Sequence, residues 1–181
     1  GEGCWKEKFY GISSAGCCQM TPNVMWCDNR CLHCWRPIEM NLGIDTPKPV
    51  DPQKLIDGVV EERKKLLMGF KGREGVDLKV LEDAMEPKLY TTSLSGEPTL
   101  YPHLADFFKL IRKKGAVSFL VTNGQNPAAI EKLEKENGLP TQITVSTNAP
   151  NEKLFKIWHN SCHNDSWERF LKTLDVIRSL D

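Results

Sequence analysis

The chain reads as an α/β protein: a parallel sheet with outer helices, preceded by a cysteine-rich N-terminal extension. Three observations predict this. Short apolar runs followed by longer segments of helical periodicity recur four times, and strand-helix alternation builds parallel sheets through right-handed crossovers. The run Ala116 to Thr122 is nearly all apolar, the mark of a strand covered on both faces. Four polar segments, at 27–35, 95–98, 122–124 and 146–150, would then end the strands on one rim, where such sheets bind ligands.

Taken in order, residues 1–18 form the extension, with Cys4, Cys17 and the adjacent Cys18, more thiol than one metal cluster needs. Gln19 to Trp26 reads as the first strand, Met20, Val24 and Trp26 supplying its bulk. Residues 36–53 hold Pro37, Pro47, Pro49 and Pro52 and form a long connection. Asp51 caps a helix with Pro52 at its first position. The helix lines up Leu55, Ile56, Val59, Val60, Leu66 and Leu67 through about Met68. Beyond the loop Gly69-Phe70-Lys71-Gly72, a short helix spans Asp77 to Met85 and a strand runs from Lys88 to Leu94. The next helix sets Leu104, Phe107, Phe108 and Ile111 on one face and is closed by Gly115. After the Ala116 strand come a helix from Pro127 to Glu136 and a strand from Gln142 to Ser146. Two last helices span Asn151 to Trp158 and Trp167 to Leu180.

At 181 residues, 40% hydrophobic and 27% charged, the chain can bury one substantial core, and a single core domain over 19–181 is expected. The formal net charge of zero argues against nonspecific coating of nucleic acid and leaves room for a local basic patch. Six of the seven cysteines precede residue 35, the distribution of a metal-binding segment more than of a disulfide framework. With neither a membrane-length apolar run nor a signal-peptide pattern, a cytoplasmic monomer with no membrane partner is the expectation.

The chemistry centres on Cys27, Cys31 and Cys34, four and then three residues apart in a turn-rich stretch. Three thiolates at this spacing can grip one face of a metal cluster, and a closed site wants four ligands, so one metal position stays open for a small molecule. Competing readings are a zinc site completed by His33 or Cys18, a zinc-stapled RNA-binding module, and an iron-sulfur electron carrier, which would need four cysteines per cluster. His159, Cys162 and His163 lack a fourth ligand and read as a polar interhelical loop.

The cysteine spacing resembles the cluster loop of radical S-adenosylmethionine (SAM) enzymes. Further stretches sharpen the likeness: Gln19-Met20-Thr21-Pro22 leading to Trp26-Cys27, Cys34-Trp35-Arg36-Pro37, Ser93 through Pro102, Phe119 through Gly124, and Leu139-Pro140-Thr141-Gln142. Together, and in order, they resemble the archaeal tRNA 4-demethylwyosine synthases. The resemblance implies a partial (βα)6 radical SAM barrel with four of six units, as if sequence were missing at both ends. It also implies a lyase of wybutosine biosynthesis that joins two carbons of pyruvate to N1-methylguanosine beside the anticodon of phenylalanine tRNA, using an electron donor.

The resemblance then assigns residues. Cys27, Cys31 and Cys34 would hold a 4Fe-4S cluster whose open iron binds SAM. Cys4 and Cys17 would serve a second 4Fe-4S cluster whose third cysteine falls before Gly1. Gly96, Glu97 and Pro98 would meet the amino group of SAM, with Asn123 and Ser146 as weaker contacts. Pyruvate would be held by a lysine through a Schiff base. Lys6, tied by Cys4 to the second cluster, comes first, followed by Lys71 and then Lys8. Arg63-Lys64-Lys65, Arg36 and Arg73 are candidates for tRNA phosphates.

Overall fold

The structure is a computed structural model and describes residues 4–180. A parallel sheet lies at its centre, ordered β1 (Cys17–Met20), β2 (Leu89–Thr92), β3 (Val117–Thr122) and β4 (Gln142–Val145). The helices are α1 (Trp5–Tyr10), α2 (Pro52–Met68), α3 (Leu78–Met85), α4 (Leu104–Lys113), α5 (Pro127–Lys135), α6 (Glu152–His159) and α7 (Ser166–Arg178). Alternate strand residues face opposite sides, and the parallel register therefore sorts the sheet into two rows. The outer row of Cys18, Met20, Tyr90, Leu120 and Ile143 packs with Ile56, Phe107, Phe108, Ile111, Ile130 and Leu133 into one core. Each such aliphatic or aromatic side chain contributes about 1.5–3 kcal/mol on full burial, which fixes which face turns outward.

Most elements form where local chemistry puts them. The Asp51 carboxylate accepts the N–H groups of Gln53 and Lys54 with Pro52 in the first turn, a cap worth about 1 kcal/mol. Asp77 caps α3 the same way.

The first strand differs from expectation: it ends at Met20 and does not reach Trp26. Pro22 has no N–H for the ladder, and the Trp26 carbonyl accepts from Glu97 N–H at 2.8 Å. Residues 21–26 instead arch over the end of β2 and deliver Cys27 to the rim. Helix α1, too short for its periodicity to show in the sequence, lies on the inner face. Its Trp5 and Tyr10 rings sit 6.3 and 5.9 Å from Phe119.

Within the basic run on α2, Arg63 is turned into the fold, whereas Lys64 and Lys65 are exposed. Arg63 donates to the carbonyls of Ala15, Cys17 and Ala84, while Lys65 pairs on the helix surface with Glu61 and Glu62. Among the described residues no helix is long and apolar enough to cross a membrane.

Candidate cluster and cofactor site

The cysteine loop hangs between two supports. On one side is the carboxyl end of α6, whose last carbonyls have no partner within the helix. Arg30 N–H donates to His159 O at 3.1 Å and Leu32 N–H to Trp158 O at 2.8 Å. Just beyond, Asn29 bridges Ser161 in antiparallel fashion and Cys162 N–H donates to Asp28 O at 2.8 Å. On the other side is the sheet rim, where Asn123 Nδ2 donates to Asp28 Oδ1 at 2.5 Å and lies 3.6 Å from Cys27 Sγ. The stretch read as a plain loop is thus part of the site: His159 is the buried last residue of α6, and His163 Nε2 lies 3.5 Å from Asp28 Oδ2.

Cys27, Cys31 and Cys34 all line one cleft, together with Asn29, Arg36 and Gly96. Burial pushes the Cys31 thiol up to about 11, the neighbouring Cys34 adding to it. Burial, and after it the charge of Glu97, lifts Cys27 still further. Neither ionises unaided near neutral pH; a bound metal's charge is what makes thiolates here. Asn29 is buried beside Cys31, and among the described residues neither atom of its side-chain amide has a hydrogen-bond partner. A polar group orphaned on a cleft wall beside three thiols suits a bound inorganic group.

Gly96 takes φ 70°, and a Cβ there would lie 1.6 Å from Asn23 O and 2.8 Å from Trp26 O. The close approach that requires glycine is therefore to the arch carrying Cys27. Glu97 is buried and its carboxylate is fully engaged: Thr99 N–H, Thr99 Oγ1 and Thr122 Oγ1 donate to one oxygen, Asn123 N–H to the other. It knits the ends of β2 and β3 together beneath the loop. Despite these four donors, desolvation and then the nearby Asp28 raise its carboxyl to about 7. Pro98 is buried at the start of a 3-10 turn. Asn123 and the exposed Ser146 line a second cleft over the inner face, with Gln19, Trp35 and Gly96.

The two lysines separate. Lys6 is buried against the inner face, its Nζ 2.9 Å from Thr91 Oγ1 and 3.6 Å from Cys17 Sγ. Among the described residues it makes no ion pair with a carboxylate. Lys71 is exposed in the turn after α2. Since α2 leads from the rim back toward the start of β2, that turn lies at the opposite end of the sheet, and the structure does not bring Lys71 to the cysteine rim. Lys8 is exposed on α1. Cys17 faces inward beside Lys6, whereas Cys18 is buried in the outer core, which removes it as a ligand on either cluster or on zinc at the loop. Cys4 is exposed at the start of α1.

Residues 24–181 match the family model of the radical SAM superfamily. The chain belongs to that superfamily. Superfamily membership implies one 4Fe-4S cluster and SAM, and the donor set fits them: three cleft-wall thiols leave one iron open. Among relatives, the chain is 43% identical to the S-adenosyl-L-methionine-dependent tRNA 4-demethylwyosine synthase of Pyrococcus abyssi, over 99% of this chain and 53% of that protein. With the protein of the same name from Methanocaldococcus jannaschii it shares 37%, over 97% and 56%. The chain thus spans about half the length of these curated relatives. Its radical SAM fold superposes on a structure of TYW1 with a lysine-pyruvate adduct bound at TM-score 0.85 and 36% identity, over 98% of this chain and 56% of that one.

Proposed function

We propose that this chain carries the radical SAM chemistry of a 4-demethylwyosine synthase. It would condense pyruvate with N1-methylguanosine beside the anticodon of phenylalanine tRNA to close a third ring, as a carbon-carbon lyase. The observation that carries this reading is the placement of Lys6: a buried amine on the inner face of the sheet, held by a hydroxyl and a thiol. Such an amine can add to the keto carbon of pyruvate and lose one water to form an imine. Relatives at 43% and 37% identity bear the synthase name, and a lysine-pyruvate adduct is bound in the TYW1 neighbour.

In this reading Cys27, Cys31 and Cys34 hold the SAM-binding cluster. When bound, that cluster would supply the electron that cleaves SAM and so opens the radical chemistry that joins pyruvate carbons to the tRNA base. The chain's own residues do the positioning. Asn123 ties the cluster loop to β3, Glu97 holds β2 to β3, and Ser146 lines the cleft where SAM and pyruvate meet. The segment ahead of the sheet carries Cys4, which together with Cys17 at the start of β1 would serve a second 4Fe-4S cluster, and Cys17 already stands against the Lys6 amine. The radical SAM core opens with β1 at Cys17, two residues before the boundary expected at Gln19, and works as a cytoplasmic monomer with an external electron donor.

The test is an anaerobic assay of reconstituted protein with SAM, pyruvate, a reductant and tRNA carrying N1-methylguanosine. The reading predicts a new tricyclic base that incorporates label from pyruvate. Cleavage of SAM with no pyruvate carbon in the tRNA would overturn it.

A further inference from the structure

We infer that His159 tunes the cluster, donating a hydrogen bond from its Nδ1–H to the Cys31 sulfur and raising the reduction potential of a cluster held there. Cys31 Sγ and His159 Nδ1 are 3.4 Å apart. The tautomer follows from the other ring nitrogen: the backbone N–H of Asn148 donates to His159 Nε2 at 3.4 Å, so Nε2 is the acceptor and Nδ1 carries the hydrogen. The ring has little freedom to turn away. It is 3% exposed, with Phe155 on one side at 4.4 Å between centroids and His33 on another at 5.2 Å.

A donor on a ligating sulfur withdraws electron density and favours the more negative, reduced state of the cluster. His159 grips the loop twice, by its carbonyl on Arg30 N–H and by its ring on Cys31. Only the ring contact is lost on substitution, so holding the loop and tuning the cluster can be separated.

The inference rests on Cys31 being a cluster ligand, which iron and sulfide analysis of the anaerobically prepared wild-type chain reports on its own. No iron in that protein would overturn the cluster reading and this inference together. With iron present, EPR-monitored redox titrations of wild type, His159→Leu and His159→Asn decide the matter. His159→Leu is expected to lower the reduced-to-oxidised ratio at fixed potential about tenfold, a shift of about 59 mV for one electron. His159→Asn, whose amide N–H can stand in for Nδ1–H, should recover most of it. An unchanged midpoint in His159→Leu overturns the inference. Should that variant fail to retain iron, pulsed EPR of reduced His33→Gln protein grown with 15N-histidine should show weak coupling to one imidazole nitrogen, and its absence overturns the inference equally.

Discussion

Lys6 and Thr91, 85 residues apart in sequence, meet on the inner face of the sheet with the lysine Nζ 2.9 Å from the threonine Oγ1. The hydroxyl aims the amine along the face that leads to the cysteine rim. Thr91→Val should keep the packing and lose the aim. A hydrogen bond of about 1–1.4 kcal/mol corresponds to a five- to tenfold fall in turnover, with iron content unchanged. Lys6→Arg keeps the charge but cannot form the imine, and should abolish turnover. Wild-type turnover in Lys6→Arg would remove the lysine from the chemistry.

Cys27, Cys31 and Cys34 should each be indispensable to SAM cleavage, because two thiolates do not hold a cubane. Alanine at any one of them should eliminate 5'-deoxyadenosine formation. Alanine at Cys4 or Cys17 should remove about half the iron and leave SAM binding in place. Loss of all iron on changing either would mean one shared site.

Gly96→Ala tests the arch. The φ of 70° costs an L-residue about 1–2 kcal/mol, and the added methyl would drive into Asn23 O, so the arch must move and Cys27 with it. The expected result is a folded protein of reduced thermal stability that loads little iron. Normal loading and stability would show that the close approach is unimportant.

Glu97 gives the stability a pH dependence of definite sign. Its folded-state value of about 7 lies above the ordinary 4.5, because burial and then Asp28 disfavour the charged form. The stabilising contribution is therefore full below about pH 4.5 and is lost as pH rises through about 7. Urea unfolding between pH 5 and 8 should show this decline, and Glu97→Gln should flatten it. A Glu97→Gln slope equal to that of wild type would contradict the assignment.

Much of the fold was legible because its signals are local. Asp51-Pro52 announces the start of α2, and the apolar stripe of α4 is buried as its periodicity requires. The cysteine spacing placed the cluster loop, since a metal-binding turn is a short-range feature. What escaped was non-local. His159 is 128 residues from Cys31, and nothing in its polar surroundings signals the pairing. The inward Cys17 and outward Cys18 follow from strand alternation, but only with β1 starting at Cys17, and Pro22 was the signal that it ends early. Arg63 looked like a surface cation in a basic run; three carbonyls of neighbouring elements claim its guanidinium, which no pattern within α2 reveals.

Borohydride trapping decides whether Lys6 holds pyruvate. The protein is incubated anaerobically with labelled pyruvate, reduced with borohydride, digested, and its peptides are mapped by mass spectrometry. One labelled peptide, containing Lys6, is expected, with the label absent from Lys6→Ala and retained in Lys71→Ala. Label on the Lys71 peptide, or on no peptide while Lys6→Ala still turns over, would contradict it.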